Sequence, residues 1–137
     1  MKISLLSARV CLFVLVLCMH MASGFASSGG KEESAFFAIE KPFVVNLSGG
    51  DNLTYLQVNV QFKLKNPELR PKLKMQLPAI EHTMVMLLSD QTVNKIKSVQ
   101  GKQALRQTAL KSVQQVCQKL IGDPVIDDVY FTGFIIQ

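Results

Sequence analysis

Two histidines and three cysteines are this 137-residue chain's whole supply of imidazole and thiol groups. His20 lies in an apolar N-terminal run, which leaves His82 without a cysteine or second histidine at ligand spacing. A zinc site needs three or four such ligands converging, so none is expected, and His82 reads as a partly exposed helix residue. Cys11 and Cys18 fall in the same apolar run, so Cys117 stands single in the remainder. A lone cysteine among apolar residues at helical spacing reads as a small buried hydrophobe, with an intermolecular bridge or reactive thiol as the other reading. The carboxylates are scattered except for Asp127 and Asp128. Neighbours on a strand point to opposite faces, so these two cannot flank one substrate. They fit a turn or edge position, or ion pairs with a neighbouring subunit. No nucleophile elbow, phosphate loop or glycine-rich dinucleotide turn occurs. No catalytic, cofactor-binding or metal-binding residues, no cofactor and no small-molecule substrate are therefore expected.

One charge cluster stands out. Lys63, Lys65, Arg70, Lys72 and Lys74 are opposed locally only by Glu68. They mark either a solvated strand–helix rim or a possible interaction surface for lipid headgroups or an acidic partner. The net charge is +5, and Lys2 and Arg9 hold two of those charges at the extreme N-terminus. The rest is too mildly basic to point to nucleic acid, and no aromatic residues are interleaved with the cluster.

The elements that must position these residues follow from periodicity. Residues 1–26 carry Lys2 and Arg9, an apolar run from Val10 to Ala22, and small residues around Gly24-Phe25-Ala26. That is the shape of a signal peptide cleaved after Ala26, with an uncleaved signal-anchor as the alternative. Both send the rest across the cytoplasmic membrane. Residues 27–35 read as a linker, and 36–137 as the folded domain. Phe36 to Leu47 reads as a strand interrupted by Pro42, and Ser48 to Asn52 as a turn. Leu56, Val58, Val60, Phe62 and Leu64 alternate with polar residues, which predicts a strand with one buried face. Asn66-Pro67 opens a helix whose stripe is Leu69, Leu73, Leu77, Ile80, Met84, Leu87 and Leu88, with a kink or break near Leu77 imposed by Pro78. A short turn covers Val93 to Lys97. A further helix spans Gly101 to Ile121 on the stripe Leu105, Ala109, Val113, Val116, Cys117 and Leu120, and Gly122 stops it. Val125 to Ile136 is the last strand. The expected fold class is α+β: a small mixed or antiparallel sheet with two main helices packed on one face.

Four segments resemble one family. Tyr55-Leu56-Gln57-Val58-Asn59-Val60-Gln61-Phe62, Leu87-Leu88-Ser89-Asp90-Gln91-Thr92, Gly101-Lys102-Gln103-Ala104-Leu105-Arg106 and Val129-Tyr130-Phe131-Thr132-Gly133-Phe134-Ile135-Ile136-Gln137 resemble, in order, segments of the flagellar basal body-associated FliL proteins. The resemblance covers about Phe36 to Gln137. It implies an SPFH/stomatin-like periplasmic domain at the flagellar base and a homo-oligomeric ring. It also implies association with stator proteins of the MotA/MotB type, in support of rotation, swimming or swarming. It brings no catalytic residues. The N-terminus departs from the family pattern of cytoplasmic head, full membrane helix and longer linker. The expected location is thus the periplasmic side of the inner membrane, with the chain either cleaved and soluble or signal-anchored, and contact with the membrane surface is possible. The alternative function is a periplasmic binding or chaperone-like scaffold outside the flagellum.

Overall fold

Alternation in the longest β segment decides the architecture. The computed structural model describes residues 35–49 and 53–137. The expected signal or anchor at 1–26, the linker up to residue 34, and Gly50–Asn52 of the expected turn lie outside the described residues. β1 (Phe36–Ala38), β2 (Phe43–Leu47), β3 (Thr54–Leu64) and β4 (Ile126–Ile136) form one antiparallel sheet. β3 is its spine. β1 pairs with Ala38 opposite Gln61 and β2 with Phe43 opposite Val58, so both lie along one edge of β3, and β4 lies along the other. The break between β1 and β2 falls at Pro42, which has no N–H for a ladder and is tolerated at an edge.

Leu56, Val58, Val60, Phe62 and Leu64 are all buried, while the residues between them face outward. Each such side chain contributes about 1.5–3 kcal/mol when fully covered. The cover comes from helices on that one face. After a 3-10 turn at Pro67–Leu69 come α1 (Arg70–Met75), α2 (Leu77–Ser89), α3 (Val93–Ile96) and α4 (Val99–Ile121). The fold is α+β, with an antiparallel sheet and α2 and α4 as the main helices.

Asn66 caps the 3-10 turn, its Oδ1 accepting from the Glu68 N–H at 3.0 Å. Pro78 splits the long stripe into α1 and α2. Proline cannot donate to the turn before it, so the chain breaks at Gln76 and restarts with Pro78 in the first turn of α2, where no donor is needed. The stripe continues across the break: Leu73, Ile80, Met84 and Leu88 are fully buried, with Leu69, Leu77 and Leu87 packed beside them.

Two boundaries and one stripe residue differ from the sequence expectation. α4 begins at Val99 rather than Gly101, because Ser98 caps it: the Gly101 N–H donates to Ser98 Oγ at 2.9 Å. Leu120 is 45% exposed; in that last turn Ile121 packs against the core instead. β4 begins at Ile126 rather than Val125, because Val125 sits at φ +54, outside extended backbone. A β-branched residue there costs roughly 1–2 kcal/mol. Its N–H donates to Asp123 Oδ1 at 2.8 Å and its carbonyl accepts from the Lys65 N–H at 2.8 Å, while its side chain is wholly buried. Gly122 takes φ +83 and ends α4 as expected.

Cys117 is buried on the inner face of α4. Burial, aided by the Asp123 carboxylate, pushes its thiol from 9.0 up to about 11. Such a group supports the fold below its unfolded pKa, and that support is lost as pH rises through the folded value. Stability should therefore fall by roughly 2–3 kcal/mol between about pH 9 and pH 11 on this group's account. Urea midpoints across that range check it: Cys117→Val should remove this part of the slope, and an unchanged slope would deny Cys117 the role. Thiol reagents at neutral pH should modify the Cys117 peptide only after denaturation.

Candidate functional site

All five residues of the basic cluster lie on the path from the end of β3 into α1, but they do different things. The Lys63 ammonium lies 2.7 Å from Asp127 Oδ2, and that hydrogen bond, with the attraction behind it, raises the lysine above its ordinary value. Both partners are well exposed, so the pair adds little to stability. Arg70 turns inward. Its Nη2 donates to the Phe36 carbonyl at 2.7 Å, and its guanidinium stands 5.4 Å from the centre of the Phe37 ring. It clips β1 to α1. Lys65, Lys72 and Lys74 are exposed. The structure thus ties Lys63 and Arg70 into the fold and leaves three lysines at the surface.

Asp127 and Asp128 both find partners within the chain. The β3–β4 ladder shifts register between Lys63 and Leu64, which places Asp127 as the extra residue of a bulge. Asp127 bonds Lys63, while Asp128 bonds Arg106 Nη1 at 2.5 Å. Burial would raise the Asp128 carboxyl. The Val129 N–H, the Arg106 guanidinium and the Tyr130 hydroxyl outweigh that and hold it below the usual carboxylate range. Arg106 also reaches the Val129 carbonyl at 3.3 Å and the Gln103 amide oxygen at 3.3 Å.

This ion pair sits in a groove that the sequence did not single out. Val99, Lys102, Gln103 and Arg106 of α4 form one wall; Asp128, Tyr130, Phe131 and Phe134 of β4 form the other, around 510 Å³. The Lys102 ammonium lies 5.1 Å from the Phe134 ring centre, and Phe131 packs on Phe134 at 5.8 Å. Sequence spacing could not foresee the meeting, since Arg106 and Asp128 are 22 positions apart on different elements. The groove offers one cation on an aromatic wall and one neutralised ion pair, and no nucleophile paired with a base. His82 is exposed on α2. Among the described residues, no group of three His, Cys, Asp or Glu side chains could hold a metal ion.

Two of the four family-like segments build this groove, and a third, β3, pairs with β4 beside it. Residues 36–137 match the family model of the flagellar basal body-associated protein FliL. The chain belongs to the FliL family. It is 24% identical over 106 residues to the flagellar protein FliL of Aquifex aeolicus (strain VF5), a match covering 77% of this chain and 63% of that relative. The chain thus spans less than two thirds of that FliL protein's length. The FliL match begins at the first residue of β1 and runs to Gln137, so it takes in every strand and helix described above. In FliL terms, the Leu87–Thr92 segment is the end of α2 and the loop after it. There Ser48 meets Thr92 in a parallel bridge, and its N–H donates to the Gln91 carbonyl at 3.3 Å. No helix among the described residues is long and apolar enough to cross a membrane.

Proposed function

We propose that this chain is a non-enzymatic scaffold of the flagellar basal body, held on the periplasmic side of the inner membrane, where it associates with stator proteins of the MotA/MotB type. In this reading the chain assembles as a homo-oligomeric ring, has an SPFH-like fold, and supports flagellar rotation and with it swimming or swarming. The carrying observation is the family match over the whole described domain. The side-chain chemistry agrees with it. The ion pairs Lys63–Asp127 and Arg106–Asp128 both join elements of the fold, and the buried Cys117 thiol is held protonated. The part of the basic rim left for contacts is Lys65, Lys72 and Lys74.

A deletion strain tests the reading. Swimming and swarming should be impaired, and a fluorescent fusion should form foci at flagellar bases. Replacing Lys65, Lys72 and Lys74 together with Glu should leave circular dichroism unchanged while foci are lost. Arg70 stays untouched in this variant because it braces β1. Normal motility of the deletion strain would overturn the flagellar role. Normal foci and swimming in the triple variant would leave the rim a solvated face and move the search to the outer side of α4.

A further inference from the structure

The short helix α1 sets an exposed apolar residue between two lysines. Leu73 is fully buried, and successive residues advance by about 100° around an α-helix. Lys72 and Lys74 therefore emerge on two flanks, and Pro71 and Met75 lie at the apex opposite Leu73. All four are exposed, Met75 at 71%. A flexible apolar side chain standing in water between two lysines gains nothing from the fold. It is the arrangement in which an apolar tip enters an interface while long cationic side chains stay at the level of the polar groups.

The place of α1 adds a second reason. The chain enters the described domain beside it: the Ala35 carbonyl accepts from the Leu64 N–H at 2.7 Å and the Phe36 carbonyl accepts from Arg70. The apolar run from Val10 to Ala22 ends close upstream of Phe36, a separation that spans at most about 50 Å when fully extended. In the signal-anchor alternative, where that run stays in the bilayer, Phe36 beside α1 is tethered within that distance of the headgroups.

The type of cation decides between partners. Arginine, with its planar fork, is the residue suited to bidentate recognition of carboxylates. The only arginine of this rim is turned onto the Phe36 carbonyl, which leaves lysines, whose compact charges suit a diffuse anionic surface. Nearby acidic groups limit the patch on one side. Glu40 and Glu81 share a dent with Lys41 and Lys74, and Glu68 accepts from the Asn66 amide at 3.3 Å. Lys72, on the other flank of α1, and Lys65, just after β3, stand outside that dent and are the less opposed charges. We propose that the outer face of α1, with Met75 at its apex and Lys72 and Lys74 on its flanks, joined by Lys65 on the approach from β3, docks on an anionic lipid surface and so orients the domain against the membrane. This deepens the proposed function by naming the rim's partner, and it rests on the rim being a contact surface.

The test uses the full chain reconstituted in phosphatidylcholine vesicles with or without phosphatidylglycerol. A water-soluble amine-acylating reagent is added, and each lysine is read by peptide mass spectrometry. A lysine near such a surface gains about fivefold in partitioning, so Lys65, Lys72 and Lys74 should be acylated roughly fivefold more slowly when phosphatidylglycerol is present. The protection should vanish at high salt, and Lys111 and Lys119, exposed on α4, should not change. Met75→Asp should keep the circular dichroism and lose most of the protection. Equal acylation with and without phosphatidylglycerol overturns the proposal. Protection that appears only in protein-containing membranes, and not with pure lipid, assigns the face to an acidic protein and overturns it too. Loss of flagellar foci in the triple lysine variant without any lipid protection would leave the rim a contact surface but exclude lipid as its partner.

Discussion

Val58→Asp should abolish the folded domain. Val58 lies at the centre of β3, fully buried, between Phe43 of β2 on one side and Phe134 of β4 on the other. An aspartate there must either carry an unpaired charge into an apolar layer or take up a proton with a strongly raised pKa. Among the described residues no polar or charged side chain is buried, so nothing nearby could pair with it. The expected cost is about 4 kcal/mol or more, comparable to the whole stability of many domains of this size. Asn59→Asp, one position along on the exposed face, should stay within about 0.5 kcal/mol of the parent. Thermal melts followed by circular dichroism compare the two. A Val58→Asp protein that melts with the parent would mean that the buried and exposed faces of β3 have been assigned the wrong way round.

Gly101→Ala should destabilise the domain although alanine is the better helix former. An ideal Cβ at Gly101 would stand 1.7 Å from the Lys95 carbonyl oxygen and 2.8 Å from its carbon. Both are backbone atoms at the junction of α3 and α4, so no side chain can swing aside. Moving them would separate α3 from α4 and disturb the Ser98 cap, whose donor is the Gly101 N–H. Helix propensity favours alanine over glycine by about 1 kcal/mol, and the clash must exceed that. A net loss of about 2–4 kcal/mol is expected, read as a lower urea midpoint at an unchanged slope. A midpoint that rises would show that the close approach does not hold in solution. The result also gives a physical meaning to the glycine that opens the third family-like segment: it leaves room for the Lys95 carbonyl of α3 and is not merely a helix start.

Ser98 shows the limit of reading α4 by its stripe. Val99 and Gln100 are exposed, so the first turn carries no apolar signal, and only the cap marks the true start. Val125 shows another limit. Its side chain type fits a strand, but its backbone is fixed by Asp123, two positions upstream, and by Lys65, a contact made across the fold.

The period-two pattern of Leu56 to Leu64 determined by itself that β3 has one buried face, because strand side chains alternate strictly and the apolar set can face only one way. The spacing of Leu69 to Leu88 with Pro78 inside it likewise determined a broken helix with one buried stripe, since proline lacks the donor the turn requires. Local chemistry also settled the caps at Asn66 and Gly122. Only the tertiary structure decided the partners of the charges. It turned Arg70 onto the Phe36 carbonyl, and it joined Lys63 to Asp127 and Arg106 to Asp128 across more than twenty positions of chain. The physical reason is reach. Periodicity reports which side of an element meets apolar surroundings. A charged side chain's partner depends on register, bulges and the approach of one element to another, and these exist only once the sheet and helices have packed.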